Sequence, residues 1–165
     1  VALLAAGCGD GDGEADLPQA PQPADPAYAA RADAICAQAL AETRRLGREA
    51  SRAVPGTSDP LELTNELLVK PGIVIRERLA NRLRALPEPQ RGAVTVAAYL
   101  ELFDPLEALT RQRLQAGREG DLDEARRFET LMQELAEEQQ AAAEAAGLDV
   151  CAADFVSAAF PSAPN

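Results

Sequence analysis

Along this chain, apolar residues recur at spacings of three and four through four long stretches, the period of amphipathic α-helices that each bury one face. The first stretch carries Tyr28, Ala32, Ile35, Cys36, Ala39, Leu46 and Ala50, and is expected to run from Asp25-Pro26 to about Ala53. Asp can cap a helix and Pro suits its first turn, so Asp25-Pro26 reads as a start signal. Val54-Pro55-Gly56-Thr57-Ser58 is then a turn, and Asp59-Pro60 repeats the start for a second helix through Leu63, Leu67, Val74, Leu79, Leu83 and Leu86. Lys70-Pro71-Gly72 should kink or break it, because Pro lacks a backbone donor and disfavours helical geometry in the residue before it.

Leu86-Pro87-Glu88-Pro89 ends the second helix and opens a third, with Val96, Tyr99, Leu100, Phe103, Leu106, Leu109 and Leu114 on its apolar face and an interruption at Asp104-Pro105. Gly117 to Gly120 makes the next turn. Asp121-Leu122-Asp123-Glu124 resembles a capping box at the start of a fourth helix, through Ala125, Phe128, Leu131, Met132, Leu135 and Ala142. Gly147 suits its C-terminal cap, and a short helix is expected over 152–160. No strand pattern and no internal repeat is present. Helices joined by short loops predict an all-α, up-down-up-down four-helix bundle with kinked second and third helices. If the two kinks fall near the middles of antiparallel neighbours, Pro71 and Pro105 share an irregular waist, the natural place for a ligand pocket.

The opening residues are of another kind. Val1-Ala2-Leu3-Leu4 is apolar but far short of the roughly 20 residues that span a bilayer. It reads as the tail of a secretory signal, and Ala5-Ala6-Gly7-Cys8 resembles the bacterial lipobox, in which small residues let the processing enzyme close around the backbone. Leu4 stands one place earlier than in the commonest form. The resemblance implies that residues 1–7 are a signal remnant, that Cys8 becomes the N-terminus, and that the chain is lipid-anchored to the membrane, outside the cytoplasm. Several acyl chains, at about 0.8 kcal/mol per buried methylene, hold a protein durably where one would not. Residues 9–25, GDGDGEADLPQAPQPAD, contain one large apolar residue, Leu17, and five carboxylates. Such a composition cannot bury enough surface to order itself and reads as a tether, with a span on the order of 20 Å. The remaining domain is expected over 26–160, followed by a short tail, 161–165.

Composition narrows the chemistry. Leu, Ile, Val and Phe make up little more than a fifth of the chain, so the core must be thin and lined by Ala. A covalent staple would help such a core. With Cys8 assigned to lipid, Cys36 and Cys151 remain, and an isolated pair in an oxidising compartment usually joins. Closing so long a loop stabilises by nearly 5 kcal/mol in the chain-entropy model. Two buried free cysteines are the alternative, and a metal pair a weaker one, since structural zinc wants four Cys or His ligands. An up-down-up-down order returns the end of the fourth helix to the start of the first, which brings Cys151 toward Cys36.

The net charge of −11 is unevenly spread. Arg44, Arg45, Arg48, Arg52, Arg76, Arg78, Arg82 and Arg84 lie on the first two helices, while residues 121–146 carry eight carboxylates against two arginines. The arginines could form an anion or headgroup site; solvated helix faces, and pairing between oppositely charged neighbours, are the plainer reading. So acidic a chain with so few aromatics is a poor nucleic-acid binder. The absence of His removes the common general base and the nucleophile arrangements built on it. Glu134, Glu137, Glu138 and Glu144 in principle collect a hard cation, but a helix rich in Glu is more often a wet surface. No catalytic residue, metal site or cofactor is expected.

Two segments, Tyr28-Ala29-Ala30-Arg31-Ala32-Asp33-Ala34-Ile35-Cys36 and Ala146-Gly147-Leu148-Asp149-Val150-Cys151, resemble those of small actinobacterial-type lipoproteins. These share a lipobox, a polar tether, an early Ala-Asp-x-Ile-Cys helix and a late Gly-Leu-x-x-Cys. The resemblance implies a disulfide framework and transfers no catalytic residue. Two functions follow as expectations: a non-catalytic module that docks on an envelope protein or wall component, or a small-ligand binder using the waist at Pro71 and Pro105.

Overall fold

The computed structural model describes residues 21–53, 60–155 and 158. Cys8, the signal remnant, most of the tether, the turn at Val54–Ser58, residues 156, 157, 159 and 160 of the expected last helix and the tail 161–165 lie outside the described residues. The elements are α1 (Pro26–Ala53), α2 (Pro60–Thr64), a π-helical turn (Asn65–Val69), α3 (Lys70–Arg84), α4 (Ala93–Glu101), α5 (Phe103–Glu119) and α6 (Leu122–Ala145), with no strand among the described residues. They form four rods in up-down-up-down order: α1, then α2 with the π turn and α3, then α4 with α5, then α6. Cross-helix contacts show the antiparallel register. Arg78 meets Glu42 and Arg82 meets Gln38 between α3 and α1, while Arg76 meets Thr110 and Arg84 meets Asp104 between α3 and α5.

The punctuation of the chain explains the rod ends. Asp25 Oδ1 accepts the Tyr28 amide at 3.0 Å, capping α1 as its sequence predicts. Asp121 accepts the Glu124 amide at 3.0 Å and caps α6. Glu124 does not complete a capping box; its carboxylate lies 3.4 Å from Arg127 instead. Gly120, with φ 77°, ends α5 in a left-handed residue, and the Asp121 amide reaches back to the Ala116 carbonyl at 3.0 Å. The third rod starts later than the Pro89 signal implies. Gly92 precedes Ala93 with φ 75°, a backbone that other residues rarely adopt.

The two proline interruptions behave differently from a simple break. Pro71 sits in the first turn of α3, and the turn before it widens so that the Lys70 amide donates to the Asn65 carbonyl. The extra residue gives the Pro ring room without ending the rod. It also resets the helical phase. Leu68, rather than Leu67, is the buried residue of the turn, and Ile75, Leu79 and Leu83 follow it into the core while Val74 is 51% exposed. Val74 is therefore not a core residue, contrary to its periodicity. In the third rod the break falls at Leu102, and Pro105 lies in the first turn of α5, where its missing donor costs nothing. Arg84 bridges this break, donating to the Leu100 carbonyl at 3.2 Å and to Asp104 at 2.8 Å.

The core is thickest toward the end where α1 begins. Tyr28, Ala32, Cys36, Leu83, Tyr99, Ala143, Ala146 and Leu148 are all within one continuous buried cluster. Tyr99 packs edge-to-face on Phe103 with ring centroids 5.3 Å apart. Farther along, coverage thins. Ala143 is the one fully buried residue of α6, Phe128, Met132 and Leu135 are half-buried, and Leu131 is 38% exposed. α6 packs along α5 and α4, but its backbone makes no extended close approach to α1.

Candidate functional site

Two regions hold the residues that the sequence singles out. The first is the stapled end. Cys36 and Cys151 form a disulfide with Cα atoms 5.1 Å apart, closing a sequence separation of 115 residues. Neither of these two cysteines is free, so they do not form a metal pair. Asp33, one turn before Cys36 on the same face, accepts the amides of Val150 at 2.9 Å and Cys151 at 3.3 Å, fixing the approach of the second cysteine. Nothing in the spacing of charges marks Asp33 for this role. The signal available was its place three residues ahead of a cysteine, inside the segment that carries the family resemblance.

The end of the expected tether belongs to this region. Ala24 is buried, and its amide donates to the Ala146 carbonyl at 2.9 Å, so residues 22–24 lie as a strap across the base of the bundle. The strap passes so close to Gly92 that a Cβ there would stand 2.6 Å from the Ala24 nitrogen, the Gln22 oxygen and the Pro23 carbonyl carbon. Asp25 ties strap, α1 and the α3–α4 loop together, since its Oδ2 accepts the Gln90 amide at 3.0 Å. The Tyr28 amide is the main reason that the Asp25 carboxyl titrates below its ordinary value. Tyr99, deep in the same end, is pushed upward by burial, with Tyr28 and Asp33 adding to the shift.

The second region is a groove between α1 and the junction of the π turn with α3. It has a volume of about 540 Å³ and is open along its length. Leu46, Pro71, Val74 and Ile75 form an apolar floor, and Glu42, Arg45, Glu66, Lys70 and Arg78 form the rim. Rim charges are largely matched. Arg78 pairs with Glu42 at 3.1 Å, Arg45 with Glu49 at 2.8 Å, and Lys70 with Glu66.

Pro71 borders this groove, and Pro105 does not. Because Arg84 meets Asp104 and Arg76 meets Thr110, Pro105 stands level with about residue 83 of α3, roughly 18 Å along the axis from Pro71 at 1.5 Å per residue. The expected shared waist therefore does not exist. The antiparallel register separates the two prolines.

The arginines divide by role. Arg84 holds the Leu102 break, Arg78 ties α3 to α1, and Arg76 points toward α5, its Nη2 donating to the fully buried Thr110 hydroxyl at 3.1 Å. Burial lowers the Arg76 pKa, with Glu107 opposing, and its Nε has no hydrogen-bond partner. No single anion cradle collects them. No family, curated protein or solved structure matches the chain. On α6, Glu134, Glu137, Glu138 and Glu144 all project into solvent, and among the described residues no cluster of three potential metal ligands occurs. No described helix is long and apolar enough to cross a membrane.

Proposed function

We propose that this chain is an extracytoplasmic lipoprotein, anchored to the membrane through acylated Cys8, whose helical bundle acts as a non-catalytic interaction module in the cell envelope. The observation that carries the reading is the Cys36–Cys151 disulfide, because such bonds persist in oxidising compartments and are rare in reducing ones. Two further features support it. The lipobox-like Ala5-Ala6-Gly7-Cys8 supplies an anchor, and the strap brings the chain out of the bundle at the stapled end, so a tether drawn from Cys8 would hold that end toward the lipid. The open groove and the exposed helix flanks would then face away from or along the membrane, available to an envelope protein or wall component.

Mass spectrometry of the mature N-terminus from the native host tests the anchor: a diacylglycerol-modified Cys8 is expected, and an unmodified Cys8 thiol overturns the lipoprotein reading. Affinity capture from detergent-solubilised envelope tests the module. Enrichment of an envelope component over a Cys36→Ala, Cys151→Ala control is the expected result.

A further inference from the structure

The fold ties down many of its arginines and leaves one run of them over. Arg45, Arg78, Arg84, Arg111, Arg126 and Arg127 each pair with a carboxylate. Arg44, Arg48 and Arg52 are exposed and have neither an ion pair nor a hydrogen bond among the described residues. They stand at spacings of four on α1, so each step climbs about 6 Å and turns about 40°, and the three leave one flank of the helix over about 12 Å. Like charges at this spacing weaken a helix. Arg52, in the last turn, is offset by the negative end of the helix dipole, but Arg44 and Arg48 lie beyond its reach.

No carboxylate of α1 is left to answer them. Glu49 is held by Arg45 at 2.8 Å, and Glu42 by Arg78 of α3 at 3.1 Å. Glu42, Arg45 and Glu49 recur at helical spacing along the edge that faces α3, so the acids of this half of the helix are committed there and the outer flank stays cationic.

The character of the flank selects its ligand. It is convex, with the small side chains of Ala41 and Ser51 exposed beside the arginines. It therefore offers no pocket for a small molecule, no large apolar side chain to enter an acyl layer and no aromatic ring to stack on a base. What it offers is charge at even intervals, and a ligand matches that by carrying charge at even intervals along its own length. A phosphate polymer holds each charge in its backbone, where a guanidinium can take two oxygens of one phosphate. A chain of acidic side groups has to order one such group at every contact, which costs conformational freedom. At physiological salt, charges more than about 8 Å away are largely screened, so a strand on this flank responds to the ladder ahead of the net charge of −11.

We propose that the Arg44, Arg48 and Arg52 ladder binds a linear phosphate polymer of the cell envelope laid along α1, one phosphate to each guanidinium. Arg44 lies about 27 Å along α1 from its start at Pro26, so a bundle held with its stapled end toward the lipid presents the ladder clear of the headgroups. The envelope source of the polymer rests on the lipoprotein reading, whereas the binding itself does not.

Isothermal titration of the full chain with linear inorganic polyphosphate, at several salt concentrations, tests the ladder. Every arm uses the chain with Cys8→Ser, which cannot be acylated, so the result stands apart from the fate of the anchor. Saturable binding is expected, its logarithmic association constant falling with the logarithm of salt at a slope of about −2, the value for three contacts with a flexible strand at about 0.7 each. Arg44→Gln, Arg48→Gln and Arg52→Gln should each weaken binding about threefold and reduce the slope by about 0.7, with helical circular dichroism unchanged. The triple variant should lose most of the slope. Arg91→Gln, which removes the same charge from an exposed site in the loop before α4, should change neither quantity. No saturable binding, a triple variant that binds like the wild type, or an equal loss in Arg91→Gln would overturn the proposal. So would polyglutamate that binds as tightly as polyphosphate, which assigns the flank to an acidic peptide, or phosphatidylglycerol vesicles that bind more tightly through the same arginines, which assign it to a lipid surface.

Discussion

Asp33 holds Cys151 in place before the sulfur atoms are considered: one carboxylate oxygen accepts the amides of both Val150 and Cys151, one helical turn from Cys36. Removing it leaves two partly buried amides without acceptors. Asp33→Ala should therefore cost about 1–3 kcal/mol in urea unfolding of the oxidised protein. It should also lower the yield of the Cys36–Cys151 bond on refolding in a glutathione buffer. A variant that refolds and unfolds like the wild type would show that the disulfide alone positions the segment.

The disulfide itself should dominate the stability of so thin a core. Closing a 115-residue separation is worth about 4–5 kcal/mol in the chain-entropy model. Unfolding followed with and without a strong reductant is expected to differ by several kcal/mol. The Cys36→Ala, Cys151→Ala protein should match the reduced form.

Glycines separate cleanly into those that the fold needs and those that it tolerates. Gly92→Ala places a methyl group 2.6 Å from strap backbone and forces an L residue to φ 75°, so it should lower the thermal midpoint by several degrees and detach residues 22–24. Gly72 and Gly117 are helical, and an added Cβ meets nothing within 4 Å at either. Ala at these two positions should stabilise by about 0.5–1 kcal/mol each. Thermal melts of the three variants give the comparison.

Acid should loosen the strap. The Asp25 carboxyl is held below its ordinary value, chiefly by the Tyr28 amide, with Gln90 contributing. A carboxyl lowered in the folded state adds stability that is present above its unfolded pKa, near 3.8, and is lost as pH falls through the folded value. Amide exchange at Gln90 and Tyr28 is thus expected to accelerate below about pH 4. In Asp25→Asn that pH dependence should vanish.

Much of the fold was legible in the residues. Asp25-Pro26 marks the start of α1, Asp121 caps α6, and the cysteine pairing agrees with the helix order, because caps and periodicity are local signals that the chain carries wherever it folds. Val74 departs from its periodicity because that pattern assumes one turn length throughout, and the π turn at Asn65–Val69 inserts a residue that shifts the stripe onto Leu68 and Ile75. The late start at Ala93, and the docking of residues 22–24, arise from a close backbone approach at Gly92 between segments about 70 residues apart in sequence. No local pattern announces such a meeting. The shared waist failed for the same reason: whether Pro71 and Pro105 stand together depends on the register of neighbouring rods, which the contacts of Arg76 and Arg84 set. Charge asymmetry was readable, but the expectation that acid and base would pair across neighbours holds for α1 with α3 and not for α6 with α1.

The strap also determines how the protein would carry a mechanical load. A pull applied at residue 21 is borne first by the Ala24–Ala146 and Asp25–Gln90 hydrogen bonds, which can yield one after another. Peeling then stops at Cys36, where the covalent link passes tension directly to Cys151 and bypasses the 114 residues enclosed between the two cysteines. Only the strap and the opening turns of α1 can lengthen under drag, and the groove, α3, α5 and α6 remain at rest behind that stop.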